Sequence, residues 1–526
     1  MTNTAPAIDS GTVETFRQVS GRIAEGLAYL GPEIALAVTT CALLLWDLFL
    51  PREKTRRTGY LALAGTAVAL ILVLLNYGES RMIFPLHDGD GNVTGSMMSV
   101  DSFGAFFKIV TLVGTIVVIV LSLGYEKFGS RRMGEYYSYI VAGVLGMCFM
   151  ASATHLLMMF LSIELVSLAS YVLVGYVKER RDGSEAALKY VIYGSVSAAV
   201  MLYGISLLYG LAGTGDIAAV TRLVATSANE KTIALAFFLT FAGFAYKISA
   251  FPMQFWTPDV YEGAPTPVTA YLAVTSKAAG FAVFLRFVAA VGPGQSFTFE
   301  SAGVSEAVTL DWALVLGVIA ALTMSFGNLA ALFQRNVKRL LAYSSIAHAG
   351  YALMGVAALR AAFAPGAQAV AFYLVVYLFM NLGAFAVVMA LERALGTEEI
   401  EGYRGLGRRN PLIAGLMTVF LIALIGLPPT AGFVGKLQLF ASAIGENLVW
   451  LVVVAAVNTA VSVYYYARII KVMYLDAAED AAPLAVPGRS IALIAAMAVP
   501  VIVLGIFFSG LLDETRSLVL LGVAGR

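Results

Sequence analysis

The chain has 526 residues, of which 60% are hydrophobic and only 13% are charged, and its mean hydropathy is +0.83. A soluble domain is nearer half apolar and a quarter charged, so this composition excludes an ordinary soluble fold and indicates a protein that crosses a membrane many times. The net charge of +1 excludes the basic field of a nucleic-acid-binding protein, and two cysteines without a Cys-x-x-Cys motif give no support for a metal, haem or iron–sulfur site.

Apolar runs of about 20 residues predict about 14 transmembrane helices, so the expected fold class is an all-α membrane protein. In chain order the predicted spans cover approximately residues 29–50, 58–76, 102–124, 134–151, 154–177, 185–211, 232–256, 266–291, 309–333, 339–358, 367–391, 411–444, 448–474 and 490–512. Spans 5–8 and 10–13 each contain a helix interrupted by proline that carries a lysine, two spans after another ionisable span. This similarity predicts two five-helix repeats, and an odd number of spans in each repeat inverts the second copy.

The predicted organisation therefore has four parts. They are an N-terminal segment with helices 1–3 (1–133), a first repeat with helices 4–8 (134–291), a second repeat with helices 9–13 (309–474), and helix 14 with the C-terminus (475–526).

Positive charge is distributed unequally between the two sets of loops. The loops after odd-numbered spans, with the end of span 13, contain 20 lysines and arginines, whereas those after even-numbered spans contain 4. By the positive-inside rule the odd loops face the cytoplasm and both termini lie outside. One odd loop, TPDVYEGAPTP after span 7, differs because it carries Asp259 and Glu262 and no cation. Two interpretations are open: a proton uptake loop beside a buried lysine, or an ordinary loop ordered by its prolines.

Charged residues occur inside several apolar spans, where each costs at least about 3 kcal/mol and is a functional candidate by default. They are Glu164 in span 5, Lys189 about a turn inside span 6, Lys247 in span 7, Lys277 in span 8 and Lys436 in span 12. For Lys189, snorkelling to the cytoplasm is an equal alternative. For the deeper lysines the alternative is a static ion pair with Glu164, but one carboxylate does not neutralise three lysines. Lys108 and Arg286 are excluded, because they lie near outer span ends where snorkelling is the better interpretation.

The energy of a lysine–carboxylate contact is large enough to change the charge of a buried lysine. A lysine–carboxylate contact at about 4 Å is worth roughly 4 kcal/mol at an effective dielectric of 20, enough to change the protonation of a buried amine. We therefore expect Glu164 to set the charge state of Lys247.

Proline accompanies a buried lysine twice. Pro252 follows Lys247, and Pro428 with Pro429 precedes Lys436. Proline removes a backbone donor and interrupts a helix, and interrupted membrane helices surround ion sites or cavities. We therefore predict broken helices 7 and 12.

A histidine adds a further candidate. His348 lies in LLAYSSIAHAGYALMG, and histidine titrates near neutral pH. Two interpretations are open: His348 connects Lys277 to Lys436 in a proton path, or it is a satisfied packing residue.

Longer strings carry a resemblance to a known family. KISAFPMQFWTPDVYEGAPTPVTAYLAVTSK resembles the span 7–8 signature of the antiporter-like subunits of respiratory complex I and of multisubunit sodium/proton antiporters. LLAYSSIAHAGYALMG, AFYLVVYLFMNLGAFAVVMAL and EEIEGYRGLGRRNP are similar to subunit N of NADH–quinone oxidoreductase. The resemblance covers most of residues 100–475. It implies 14 helices, two inverted repeats and proton translocation driven by quinone reduction elsewhere in a large complex.

The resemblance also implies roles for individual residues. The family's ionisable positions fall on Glu164, Lys189, Lys247, Lys277 and Lys436. A lysine at the last position favours subunit N over subunit M, for which glutamate is expected there. The short segment after span 14 is expected to exclude the lateral helix of subunit L.

Cofactors, partners and location follow from the same resemblance. It implies no cofactor or metal in this chain, with FMN, iron–sulfur clusters and quinone in partner subunits. The implied partners are subunit M, the small subunits K, J, A and H, the peripheral arm and the lipid bilayer of a bacterial inner membrane.

The alternative is a subunit of a multisubunit Na⁺/H⁺ antiporter, which acidic sodium ligands within the spans would favour, and only Glu164 is available. A purely structural scaffold ranks last, because five buried charges would cost roughly 15 kcal/mol.

Overall fold

A computed structural model describes residue 21 and residues 25–87, 93–129, 132–220, 230–291, 296–299, 308–359, 365–478 and 482–520. The helices are α1 (Gly31–Phe49), α2 (Thr58–Leu75), α3 (Ser102–Gly124), α4 (Met133–Ser152), α5 (Leu156–Val174), α6 (Arg181–Ala212), α7 (Glu230–Ile248), α8 (Trp256–Gly263), α9 (Thr266–Tyr271), α10 (Lys277–Val291), α11 (Trp312–Ala331), α12 (Val337–Ala357), α13 (Pro365–Leu395), α14 (Leu406–Arg409), α15 (Pro411–Ile425), α16 (Ala431–Gly445), α17 (Val449–Tyr474), α18 (Gly488–Ile506) and α19 (Ser509–Ser517). Short 3₁₀ turns cover Arg52–Arg57, Glu126–Phe128 and Ile400–Tyr403, and a π-helical turn, Leu272–Ser276, joins α9 to α10.

Twelve of the described helical segments are long and apolar enough to cross a membrane. The two other predicted spans correspond to α4 and to the pair α15 and α16, whose members have only 15 residues each. The multi-pass helical fold is therefore confirmed. The number 14 and the four-part division of the chain stay predictions.

Both predicted helix breaks are present. Helix α7 ends at Ile248, Ser249 has a positive φ of 63°, and the Phe251–Pro252 peptide bond is cis. Helix α15 ends at Ile425, and a cis Pro428–Pro429 bond precedes α16. Each break leaves the last carbonyl groups of a helix without their intrahelical partners.

The expectation of an all-α chain was incomplete. Two antiparallel hairpins lie in the connectors before α3 and before α11. The first pairs β1 (Arg81–His87) with β2 (Val93–Val100), and the second pairs β3 (Ser296–Phe299) with β4 (Val308–Asp311). The sequence between β1 and β2 contains two Asp-Gly pairs, which favour hairpins. The strands themselves contain no long apolar run, which is the pattern that predicts membrane spans.

The most buried spans form the centre of the molecule. Thr266–Ala289, α12 and α13 are almost wholly buried, whereas only about a third or less of α1, α2, α6, α17 and α18 is buried. Polar residues on the buried spans therefore lie away from the chain's surface.

Helices α11 and α12 approach each other at two glycines. A Cβ atom on Gly350 would lie 2.5 Å from the backbone nitrogen of Met324, and one on Gly327 would lie 2.5 Å from that of Ala347. Small residues permit such close approach of membrane helices.

We expect Gly350→Ala to lower the free energy of unfolding by about 1–3 kcal/mol, because the added methyl group overlaps the backbone of α11. Thermal unfolding in mild detergent measures the change. Gly415→Ala is the matched control, since a Cβ there meets nothing within 4 Å. Equal midpoints for the two variants would contradict the proposed close approach.

Candidate functional site

Lys247 lies in the last turn of α7, immediately before the break. Its side chain is buried, and its Nζ donates to Ser167 Oγ of α5 at 3.4 Å. Glu164 lies one turn before Ser167 on the same helix and interacts electrostatically with Lys247. Among the described residues no carboxylate lies within 4.0 Å of this nitrogen, so the static Glu164–Lys247 ion pair is not formed.

Lys277 begins α10, directly after the π-helical turn. Its Nζ donates to the Ser345 carbonyl oxygen of α12 at 2.8 Å and also to Ser345 Oγ. A Cβ on Gly280, one turn further along α10, would lie 3.2 Å from Lys247 Cγ. The stem of Lys247 therefore packs against the helix that carries Lys277.

His348 lies one turn after Ser345 on α12. Its Nδ1 is hydrogen-bonded to the Tyr373 hydroxyl of α13, and its Nε2 is 3.4 Å from the Tyr466 hydroxyl of α17. The Tyr466 hydroxyl is also hydrogen-bonded to Ser344. Hydroxyl and imidazole groups both donate and accept hydrogen bonds, so this cluster has the chemistry to pass protons. The histidine is thus a hydrogen-bonded member of a polar cluster, and its role in a proton path stays a prediction.

Lys436 lies near the start of α16, and the break before that helix supplies its acceptors. Its Nζ donates to the carbonyl oxygens of Ile425 at 2.8 Å and Leu424 at 3.3 Å, at the end of α15. The nitrogen also lies 4.5 Å from the centre of the Tyr351 ring, a cation–π distance. The Tyr351 ring is 5.9 Å from that of His348, which connects Lys436 to the histidine cluster.

These contacts define a row of buried polar groups, here called the lysine row. It comprises Lys247, Lys277, His348 and Lys436 with their partners Ser167, Ser344, Ser345, Tyr351, Tyr373 and Tyr466. The tyrosines were not predicted from the sequence, because a tyrosine in an apolar span gives no sign of which way its hydroxyl points.

The other predicted residues form a separate cluster. Asp259 and Glu262 lie on helix α8 rather than on a loop, and each carboxylate is 2.7 Å from Arg339 Nη1. Lys189 Nζ is 2.7 Å from Asp259 and 2.9 Å from Glu185, so Lys189 does not join the lysine row. The connector after span 7 contains no cation itself, but Lys189 of α6 and Arg339 of α12 supply positive charge to its carboxylates.

This cluster surrounds a pocket of about 400 Å³. The pocket lies on the face formed by the loops after the odd-numbered spans, here called the cation-rich face. Burial by itself would raise the pKa of Asp259, but hydrogen bonds from Lys189 and Arg339 hold it below its usual range. Asp259 therefore remains ionised at neutral pH.

The expectation that Lys108 and Arg286 snorkel was wrong. Lys108 Nζ is buried 2.7 Å from Glu33 Oε1. Arg286 is fully buried and makes two contacts with the Asp101 carboxylate, at 2.8 and 2.9 Å, and a third with the Ala151 carbonyl oxygen. Both carboxylates lie at helix starts, Asp101 as the N-cap of α3 and Glu33 in the first turn of α1. The sequence could have indicated these ion pairs, because Glu33 and Asp101 lie near outer span ends, as Lys108 and Arg286 do.

The fold and the lysine row define an antiporter-like membrane subunit. The model of the family described as NADH:quinone oxidoreductase/Mrp antiporter, TM, matches residues 153–462. NADH-quinone oxidoreductase subunit N 2 of Chloroherpeton thalassium is 42% identical over 503 residues, which cover 94% of this chain and 95% of that protein. The chain therefore belongs to the subunit N family of NADH–quinone oxidoreductase, as its resemblance indicated.

Solved structures have the same fold. A chain in the structure of respiratory complex I from Thermus thermophilus with bound aureothin is 33% identical, with a TM-score of 0.74 over 92% of this chain and 98% of that one. A chain of the Mrp complex from Dietzia sp. has a TM-score of 0.73 over 94% of this chain and 96% of its own, at 20% identity. The second likeness concerns the fold alone.

We expect Arg286→Gln to lower the free energy of unfolding by about 3–5 kcal/mol, because it leaves the buried Asp101 carboxylate without its cation. The double variant Arg286→Gln/Asp101→Asn removes both charges and should recover part of this loss. Thermal unfolding measures both. Arg516→Gln, in an exposed pair with Asp513, is the control and should cost at most about 1 kcal/mol. A single variant as stable as the wild type would contradict the assignment.

The lowered pKa of Asp259 fixes the sign of a pH effect. A group with a lowered folded-state pKa contributes stability above its unfolded pKa, about 3.9 for aspartate, and loses it as the pH falls through the folded value. The difference in melting temperature between wild type and Asp259→Asn should therefore be constant from about pH 5 to 8 and shrink below about pH 4. Asp182→Asn, at an exposed acid lining the same pocket, is the control and should show no such difference. A difference that disappears already between pH 7 and 5 would contradict the pairing.

Proposed function

We propose that protons enter from the cation-rich face toward Lys247 and Lys277, pass His348 to Lys436, and leave on the opposite side. As a subunit N family member, the chain is a proton-translocating membrane subunit of an NADH:quinone oxidoreductase, which is a translocase. Quinone reduction elsewhere in the complex supplies the driving force. The observation that carries the path is that all three buried amines contact neutral oxygens and, among the described residues, no carboxylate within 4.0 Å.

This coordination suits a reversible charge. A buried amine with a carboxylate in contact is strongly favoured in its charged form, whereas burial without a counter-ion opposes that form. Carbonyl and hydroxyl oxygens accept hydrogen bonds from an amine in either protonation state. The lysine row therefore holds its amines in position without fixing their charge.

Glu164 is proposed to control the first amine. It lies beyond ion-pair contact with Lys247, one turn away from the serine that Lys247 contacts. Closing the gap would strengthen their attraction, which at about 4 Å reaches roughly 4 kcal/mol in total at an effective dielectric of 20. A small movement of α5 relative to α7 would thus favour protonation of Lys247, and its reversal would favour release.

The charged pocket around Asp259 is proposed as the route of uptake. Lys189, Asp259 and Glu262 surround water-accessible space on the cation-rich face, between α6, α8 and α12. Because its charges are paired, the pocket would hold water near the path without itself binding the transported proton.

The wider assembly follows from the family. The partners are the other membrane-arm subunits, of the M, K, J, A and H types, and the peripheral arm. We propose that FMN, the iron–sulfur clusters and the quinone belong to those subunits, and no redox step is assigned to the two cysteines of this chain. The proposed location is the bacterial inner membrane, with both termini on the periplasmic side.

The antiporter alternative has weaker support. The likeness to the Mrp chain is one of fold at 20% identity. Within the described spans, Glu164 is the one ionisable acid close to the lysine row, whereas a sodium site requires several oxygen ligands.

We expect Lys247→Ala and Lys436→Ala to reduce proton pumping by about tenfold or more, a barrier increase of at least about 1.4 kcal/mol, while NADH oxidation remains measurable. Each variant removes one position at which the proton rests. Acid uptake by membrane vesicles supplied with NADH measures pumping, and NADH absorbance measures oxidation. Lys178→Ala, at an exposed lysine, is the matched control and should pump normally.

Two outcomes would contradict this function. Full pumping and full turnover in both buried-lysine variants would remove the lysine row from the path. A sodium gradient that drives proton flux in vesicles without NADH would favour the antiporter instead.

A further inference from the structure

A pocket of about 520 Å³ lies on the cation-rich face, apart from the lysine row. It is formed by the turn Arg52–Arg57, the end of α3, the middle of α13 and the start of α18. This volume is within the usual range of about 300–1,000 Å³ for ligand sites. The proposed proton path makes no use of it.

Four cations line this pocket: Lys54, Arg56, Arg57 and Arg489. Within the described part of the chain, none of their nitrogens has a carboxylate within 4.0 Å, and no acidic residue lines the pocket. Arg56 donates one hydrogen bond, to the Tyr125 carbonyl oxygen at 3.2 Å. Four cations around one concave site repel one another and attract an anion.

Some other cations on the same face are paired. Arg393 contacts Glu126, and Lys127 contacts Glu392, both at 2.5 Å. The pocket differs from these paired sites because several cations lie together there and, among the described residues, no carboxylate lies beside them. The N-terminus of α18, a helix of 19 residues, adds its positive dipole end beside Arg489.

Apart from Tyr60 and Ser490, the rest of the lining is apolar. Leu121 and Leu123 of α3, Met389 of α13 and Leu493 of α18 form a wall that leads from the cations into the membrane-spanning part of the helices. A free phosphate ion would leave this wall without a partner. An amphiphile with an anionic head and a hydrocarbon tail matches both parts of the lining.

We infer that this pocket binds an anionic phospholipid, with its phosphate among the four cations and an acyl chain along the apolar wall. Basic pockets between membrane helices on the cytoplasmic side recognise such head groups. The lipid would join the helices of the N-terminal segment to α13 and α18. This inference is independent of the proton path.

The test uses the intact complex, purified in mild detergent, depleted of lipid and then incubated with phosphatidylglycerol or phosphatidylcholine. Native mass spectrometry counts the lipid molecules that remain bound. Arg56→Gln/Arg489→Gln removes two cations. Gly124→Leu fills the pocket without changing a charge, because a Cβ on Gly124 meets nothing within 4 Å. Arg408→Gln, an exposed arginine outside the pocket, is the matched control.

We expect the wild type and the control to retain one more phosphatidylglycerol than either pocket variant, whose affinity should fall by about tenfold. Phosphatidylcholine should not occupy the site. Pocket variants that retain phosphatidylglycerol like the wild type would overturn the inference, as would equal retention of phosphatidylcholine. Displacement of the lipid by inorganic phosphate at the same concentration would overturn it in favour of a simple anion site.

Discussion

The structure depends on how each cation buried among apolar helices finds its acceptors. A charge at this depth costs several kcal/mol unless it is paired or hydrogen-bonded. Two solutions are present. Arg286 and Lys108 contact the carboxylates of Asp101 and Glu33, which fixes their charge and joins helices distant in sequence. The lysine row instead contacts carbonyl and hydroxyl oxygens, which hold an amine in place and leave its charge free to change. The kind of acceptor therefore separates structural cations from those suited to transport.

For Lys436, a helix break is the source of the neutral acceptors. The end of α15 presents the carbonyl oxygens of Leu424 and Ile425 to Lys436, because the chain turns away before those groups meet intrahelical partners. Lys247 likewise lies in the last turn of α7, where the negative end of the helix dipole favours a cation. A break thus makes a membrane helix polar at a chosen depth. This explains the pairing of proline with Lys436, whereas the acceptor of Lys247 is a serine of α5.

The cation-rich face combines two different electrostatic arrangements. Around Asp259 the charges alternate and neutralise each other at the lining of a pocket. Around Arg489 the cations have no described counter-ions, and the neighbouring wall is apolar. The first arrangement suits passage of water and protons, and the second suits a bound anionic lipid. Both arrangements include arginines of the odd-numbered loops, from which the positive-inside rule predicted only the orientation of the chain.

The sequence by itself determined the membrane class, the positions of most helices, the two breaks and the three lysines and one histidine of the lysine row. Hydropathy, proline and buried charge are local properties, so they can be recognised without knowledge of the fold. The hairpins before α3 and α11 were not foreseen, because short strands make no long apolar run. Only the tertiary structure decided which acceptor each cation meets. Asp101 and Arg286 are 185 residues apart, and Lys189 meets Asp259 across 70 residues. A side chain's charge can be read from its identity, but its counter-ion depends on which helices pack together.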